Sequence, residues 1–171
     1  WLVGWSFIHD IPACTCPTNG HRIVLWQDFA GLGGDVKYLR SRADATKWME
    51  VSDGWVVSAH GEGGYIMPFE ESPGDGVDAV RISDRFFGSQ MRGFDIRGIG
   101  PRVVRTPYEI TGELTEDSVP TSDSLGGRAY YMGRLELEFP TGSAIRSMGL
   151  RPSGFLDVGS VWNLEKPEVR E

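Results

Sequence analysis

The most restrictive feature of this sequence is an alternation of residue types with period two over residues 128–139. Polar side chains such as Arg134 and Glu136 fill even positions, and apolar side chains such as Leu135 and Phe139 fill odd positions. Successive side chains of a β-strand point to opposite faces, so this alternation predicts a strand with one charged and one apolar face. An apolar face with aromatic ends is typical of lipid contact, although a soluble sheet could show the same pattern.

Five further segments alternate in the same way, and no helical periodicity persists for long. The six predicted strands cover about residues 1–10, 21–29, 36–47, 54–66, 127–139 and 150–162. Each is near the ~9–11 residues that cross a bilayer when tilted, and no stretch approaches the roughly 20 apolar residues of a helical span. We therefore predict an all-β fold of about six antiparallel strands; the residues alone leave open whether these strands form a transmembrane β-barrel fragment or a soluble sheet.

The composition agrees with short aromatic strands joined by turns, and it excludes one class of partner. The 171 residues include 23 Gly, 6 Trp, 8 Phe and 5 Tyr. The net charge of −7 argues against nucleic acid, because phosphate binding requires clustered Lys and Arg. We predict no nucleic-acid partner.

The connections between the predicted strands are unequal in length. Residues 17–20 form a tight turn by composition, residues 30–34 form a glycine-rich connection, and residues 47–54 and 140–149 form short polar links. By contrast, residues from about 67 to 125 show no sustained alternation. Structureless connections beyond about 15 residues are usually functional or disordered, so this long loop is where we look for function.

A compact motif lies inside the long loop. It reads Asp84-Arg85-Phe86-Phe87-Gly88-Ser89-Gln90-Met91-Arg92-Gly93-Phe94 and continues to Ile99-Gly100-Pro101-Arg102. This motif resembles the signature of the sixth extracellular loop in the BamA family of bacterial outer-membrane insertases, with Met91 in place of the commoner valine. Further patterns agree in order: Pro17-Thr18-Asn19-Gly20 resembles the family's periplasmic turn, residues 27–35 its next outer loop, and residues 155–162 a later strand. The resemblance covers nearly the whole chain, and residues 11–16 are the segment that differs from the family's pattern.

The resemblance implies that residues 1–171 are part of a single outer-membrane β-barrel domain, with the POTRA domains outside this chain. It implies that the long outer loop, about residues 67–125, folds towards the lumen. The activity implied is the folding and insertion of β-barrel proteins into the bacterial outer membrane, without enzyme activity or a cofactor. The partners implied are unfolded outer-membrane β-barrel clients, lipoprotein subunits bound through the POTRA domains, and outer-membrane lipid.

The resemblance also assigns site residues. The loop motif comprises Met91, Arg92, Gly93 and Phe94, and the lumen partners are Glu136 and Asp157. In the family the arginine at the position of Arg92 reaches into the lumen towards two carboxylates, which by motif are Glu136 and Asp157. The parity of Glu136 supports this assignment, because Glu136 lies on the charged face of its predicted strand. Gly93 is expected to let the backbone approach the wall closely, and Phe94 to pack against an apolar or aromatic patch.

Two other sets of residues could suggest a metal site or catalysis. His9, Cys14, Cys16 and His21 include zinc-ligand types, but their spacing matches none of the common zinc patterns, so we predict no metal. The sequence has no G-x-S-x-G elbow, H-E-x-x-H motif or P-loop, so we predict no enzyme. His60 and Glu62 share a strand face, which polar lumen residues explain as well as an acid–base pair does.

The sequence alone leaves three candidate functions. The first is the insertase barrel, and the second is a related transporter barrel of the TamA or two-partner-secretion type, which shares the R-G-F loop. The third is a soluble all-β binding module whose alternation faces a core. Detergent dependence separates the first two from the third, and the number of POTRA domains separates the first from the second.

Overall fold

The structure, a computed structural model, describes residues 2–11, 19–31, 33, 36–71, 74, 77–88, 91–105, 121–142, 145 and 147–164. The strands in these residues are β1 Leu2–Ile11, β2 Gly20–Ala30, β3 Tyr38–Ser52, β4 Trp55–Pro68, β5 Arg102–Arg105, β6 Thr121–Ser124, β7 Ala129–Glu138 and β8 Ser153–Trp162. Six of them form one antiparallel sheet in the order β1-β2-β3-β4-β7-β8, with β1 and β8 at its open edges. This confirms the predicted all-β antiparallel fold.

The register of the sheet collects the charged side chains on one face. Arg134 on β7 lies opposite His60 on β4 and Asp157 on β8, and Asp44 on β3 lies opposite Glu62 on β4. Paired residues share a face, so these side chains belong to one surface, which we call the charged face. Its charged and titratable members within the described strands include Asp28, Arg40, Arg42, Asp44, His60, Glu62, Arg134, Glu136, Glu138 and Asp157.

The opposite, apolar face carries aromatic residues at two levels. Trp5, Tyr65 and Trp162 lie in one row across the sheet, near the end where the long loop leaves β4. Near the other end, the rings of Trp55 and Phe139 pack edge to face with their centroids 5.4 Å apart. Trp55 and Tyr65 both lie on β4, separated by about 33 Å of strand, or about 25 Å along the axis of a barrel whose strands tilt by ~40°. This spacing fits the apolar band of an outer-membrane barrel, which is also about 25 Å tall.

One connection is shorter than the sequence predicted. Residues 47–54 were expected to be a polar link, but β3 continues to Ser52 with an irregular register between Glu50 and Ser52. The last residues of β3 are exposed on both faces. Polar and apolar residues do not alternate there, because the type of side chain indicates the strand face only where one face is covered. Of the turn predicted at residues 17–20, residues 17 and 18 lie outside the described residues, and β2 begins at Gly20.

The long loop has structure of its own and packs on the charged face. It contains a short 3-10 helix at Ile82–Asp84 and the two-stranded ladder of β5 and β6, neither of which the sequence pattern predicted. A cluster of buried residues joins the loop to the sheet: Ala30, Tyr38, Ile66, Val80 and Phe86. Phe86 also exchanges two backbone hydrogen bonds with Gly127, of 2.9 and 2.8 Å. The loop is therefore folded back onto the sheet.

Arg85 reinforces the base of the long loop. Its Nε donates a hydrogen bond of 3.0 Å to the carbonyl of Val80, and its Nη1 donates one of 3.2 Å to the carbonyl of Leu125. Burial lowers the pKa of the Arg85 guanidinium, and the nearby carboxylate of Asp78 opposes that shift. The arginine thus joins Val80, within the loop, to Leu125 at its end through backbone carbonyls.

Candidate functional site

Arg92 of the long loop contacts β7 through an ion pair with Glu136. Its Nη2 donates a hydrogen bond of 2.6 Å to Oε2 of Glu136. The hydroxyl of Ser153 donates a hydrogen bond of 2.5 Å to the other carboxylate oxygen. The side chains of Arg92 and Glu136 are 33% and 29% exposed, so water screens this pair only in part.

Arg92 also contacts β8 in two ways. Its guanidinium carbon lies 3.9 Å from the centroid of the Phe155 ring, a cation–π distance. Its backbone N–H donates a hydrogen bond of 3.2 Å to Oδ2 of Asp157, and its Nε lies 3.9 Å from the same oxygen. The loop is therefore attached to both strands at one residue. We call Arg92, Glu136, Phe155 and Asp157 the loop clasp.

Asp157 has a closer partner than Arg92. Arg134, directly opposite on β7, donates hydrogen bonds of 2.9 and 3.0 Å to the two oxygens of Asp157. This geometry is bidentate, and the Asp157 side chain is only 4% exposed. The motif resemblance does not name Arg134, although the alternation placed it on the charged face. The missing information was the register, which sequence does not provide.

Met91 and Val161 form a second attachment next to the clasp. Met91 is buried against Gly159, where an added Cβ would lie 3.0 Å from the Met91 sulfur. Val161 is buried between glycines of the loop: a Cβ added at Gly88 or at Gly100 would lie 2.9 Å from Val161. These glycines let the loop backbone lie directly on β8, and they were not identified from the sequence as contacts.

Gly93 and Phe94 do not make the contacts that the sequence predicted for them. An added Cβ at Gly93 would meet nothing within 4 Å, so close approach to the wall does not require glycine here. Its backbone has φ +85°, which glycine adopts without the strain of other residues. The Phe94 side chain is 52% exposed and does not pack as expected. The N–H of Phe94 donates a hydrogen bond of 3.2 Å to the carbonyl of Met91, which closes a turn over residues 91–94.

The candidate metal ligands divide into two groups. Cys14 and Cys16 lie outside the described residues, and the rings of His9 and His21 stack with centroids 5.2 Å apart on the apolar face. Within the described residues, one group of ligand-type side chains has its atoms within 4.8 Å of one another: Asp44, His60 and Glu62. This second group lies on the charged face.

The family of the chain follows from a comparison with known proteins. Residues 13–170 match the Omp85 superfamily domain. The chain belongs to the Omp85 superfamily. It is accordingly part of an outer-membrane β-barrel protein and not an enzyme. No helix in the described residues is long and apolar enough to cross a membrane.

Relatives of this Omp85 chain come from bacteria and from animals. It is 32% identical over 160 residues to the outer membrane protein assembly factor BamA of Neorickettsia risticii, spanning 93% of this chain and 19% of the relative. It is 28% identical over 160 residues to the sorting and assembly machinery component 50 homolog of Homo sapiens, spanning 89% of this chain and 29% of that relative. The chain thus spans less than a third of the length of either relative.

A solved structure has the same fold. The crystal structure of BamA from Haemophilus ducreyi lacking POTRA domains 1–3 superposes with a TM-score of 0.62 at 23% sequence identity. The match covers 95% of this chain and 29% of that one. At this identity the similarity concerns the fold, and it confirms that the sheet is of the BamA-barrel type.

Proposed function

We propose that this chain is part of the barrel of a bacterial outer-membrane protein assembly factor. The complete protein would fold and insert β-barrel proteins into the outer membrane of a Gram-negative bacterium. The observation that carries this proposal is the 32% identity to an assembly factor BamA. The loop clasp, in which one arginine of the long loop binds two adjacent strands of the wall, supports a role within such a barrel.

The clasp suggests how this part of the barrel contributes. The apolar face meets lipid, so the charged face and the attached loop belong to the lumen. A loop bound to β7 and β8 holds these two strands together through side chains as well as through their ladder. The wall is thereby braced in this region, while insertion of a client requires a seam to open between strands elsewhere in the barrel.

The proposed domain organisation and partners extend beyond this chain. Residues 1–171 would be one section of a single barrel domain, with POTRA domains elsewhere in the protein. Unfolded outer-membrane β-barrel proteins would be the clients, and lipoprotein subunits would bind through the POTRA domains. Outer-membrane lipid would surround the apolar face between the levels of Trp55 and Tyr65.

A second candidate role is that of a mitochondrial sorting and assembly component. The 28% identity to the human relative favours it, but less strongly than the 32% identity favours the bacterial role. A transporter barrel of the TamA or two-partner-secretion type is a third candidate. A transporter of this type would export a passenger protein and would not insert barrel proteins into the membrane.

Reconstitution of the complete protein in liposomes tests the proposed function. Urea-denatured client barrel is added, and its folding is followed by the mobility of unboiled samples in SDS gels. The wild-type protein should accelerate client folding relative to empty liposomes. Arg92→Ala should lower the rate, whereas Arg102→Ala should not, because Arg102 is exposed and its side chain donates hydrogen bonds to Ser122 and to the carbonyl of Arg97, both in the loop. A wild-type rate equal to that of empty liposomes would reject the insertase function.

A further inference from the structure

Two carboxylates lie opposite each other on the charged face. Asp44 on β3 lies directly opposite Glu62 on β4. Their side chains are only 19% and 14% exposed. Like charges directly opposite each other in a sheet are destabilising, and shelter from water increases the repulsion. A positive charge between the two carboxylates would relieve this repulsion.

His60 brings a third ligand-type side chain to the same place. Its Nε2 lies 3.6 Å from Oδ2 of Asp44 and 4.0 Å from Oε2 of Glu62. Its Nδ1 lies 2.8 Å from Oγ1 of Thr46, the residue opposite it on β3. If the Thr46 hydroxyl accepts the Nδ1 proton, the lone pair of Nε2 points towards the two carboxylates. A hydrogen bond of this kind at the second ring nitrogen is usual for a metal-bound histidine.

The two arginines beside the group differ in how firmly they are engaged. Arg134 binds Asp157 through two hydrogen bonds. Arg42 lies 3.9 Å from Asp28 and over the Trp26 ring, and among the described residues its Nε is shielded from solvent without a hydrogen-bond partner. In the part of the chain that the structure describes, Oε1 of Glu62 is shielded from solvent and has no hydrogen-bond partner. That oxygen is free to accept a ligand.

We infer that Asp44, His60 and Glu62 form a site for a divalent transition-metal ion of the Zn²⁺ class. Such an ion with a neutral imidazole and two carboxylates gives a site without net charge. Bonds of about 2.0–2.2 Å in a tetrahedral site place the ligand atoms roughly 3.3–3.6 Å apart. The ligand atoms of the three side chains all lie within 4.8 Å of one another. Small side-chain rotations would bring them to the distances of a tetrahedral site. The imidazole favours a transition metal over Mg²⁺ or Ca²⁺, which prefer oxygen ligands throughout.

The ion would join β3 to β4 inside the barrel. Three ligands come from two neighbouring strands, so a fourth position stays open to water. The loop clasp uses β7 and β8, and the two sites are connected by Arg134, which lies opposite both His60 and Asp157. This inference is independent of client insertion, so a failure of the insertase assay would leave it intact.

Metal titration of the complete protein in detergent tests the site. The background should carry Cys14→Ser, Cys16→Ser and His21→Gln, so that the thiols and the stacked histidines do not bind metal. After chelation, Co²⁺ is added while its visible absorption is recorded, and Zn²⁺ is then used to displace it. One saturable Co²⁺ site per chain is expected, with absorption bands that Zn²⁺ abolishes.

Variants then assign the ligands. His60→Gln and Glu62→Gln should each weaken Co²⁺ binding at least tenfold, and Thr46→Val should weaken it by roughly tenfold, the lower range for an outer-shell partner of a metal ligand. Glu50→Gln is the matched control, because Glu50 lies on the same face of β3 but outside the group. Heat-modifiable mobility in SDS gels establishes that each variant is folded. Absence of a saturable Co²⁺ site in the background protein would overturn the inference, whatever the variants do, and so would undiminished binding by folded His60→Gln and Glu62→Gln.

Discussion

The guanidinium of Arg92 and the carboxylate of Glu136 are joined by a hydrogen bond of 2.6 Å although 44 residues separate them in sequence. The pair links the long loop to β7 within the charged face. Phe155 and Asp157 hold the same arginine on β8. One loop residue thus contacts two neighbouring strands, which makes the clasp a suitable place to test how the loop and the wall depend on each other.

Asp157 should be coupled more strongly to Arg134 than to Arg92. Arg134 makes two side-chain hydrogen bonds to Asp157, whereas Arg92 contributes a backbone N–H that survives its replacement by alanine. We expect Asp157→Ala to destabilise the barrel by about 3–5 kcal/mol, because it leaves a sheltered Arg134 without its partner. Urea unfolding of single and double variants measures the coupling energies. Equal coupling of Asp157 to both arginines would contradict this.

Replacement of loop glycines should separate backbone strain from steric contact. Gly93→Ala introduces only the strain of a positive φ, since nothing lies within 4 Å of the added Cβ, and should cost about 1–2 kcal/mol. Gly100→Ala adds the same kind of strain to a contact of 2.9 Å with Val161, and should loosen the loop further. Limited proteolysis of the loop measures the difference. Faster cleavage in Gly93→Ala than in Gly100→Ala would show that Val161 does not hold the loop.

Alternation alone predicted the six principal strands and their two faces, because polarity follows the face wherever one side of a strand is covered. It could not predict the end of β3, where both faces are exposed, or the ladder of β5 and β6, whose strands have only four residues each. Short strands carry too few positions for a period to be recognised.

The motif resemblance located Arg92, Glu136 and Asp157 but not the division of their contacts. Which carboxylate receives the guanidinium depends on the register of β7 with β8, and a shift by one residue would turn every side chain to the other face. Arg134 was visible on the charged face of its strand, yet its pairing with Asp157 follows only from that register. The carboxylate pair of Asp44 and Glu62 likewise arises from the register of β3 with β4.

The isolated chain should not form a closed, stable barrel. Its sheet ends at β1 and β8, whose outer backbone groups have no strand partner within the described residues. Unsatisfied backbone groups in lipid cost several kcal/mol each. Refolding of residues 1–171 into detergent, followed by SDS gels with and without boiling, tests this. A compact heat-modifiable monomer would be the contrary result.

The two ends of the sheet should lie on opposite sides of the membrane. Asp53 lies in the turn between β3 and β4, whereas Ser122 is exposed on β6 of the long loop at the other end. In the complete protein lacking Cys14 and Cys16, an impermeant maleimide should label Ser122→Cys on intact cells. It should label Asp53→Cys only after the outer membrane is permeabilised. Labelling of both positions on intact cells would refute this topology.

The most direct test of the clasp is the rate of client folding in liposomes for a double-variant cycle of Arg92 and Glu136. Loss of a partly screened ion pair costs about 1–2 kcal/mol, so Arg92→Ala and Glu136→Ala should each slow client folding by roughly 5- to 30-fold if the pair contributes fully to the rate. Because both variants remove the same contact, the double variant should be hardly slower than either single one. Single variants at the wild-type rate, or two defects that multiply in the double variant, would contradict the account.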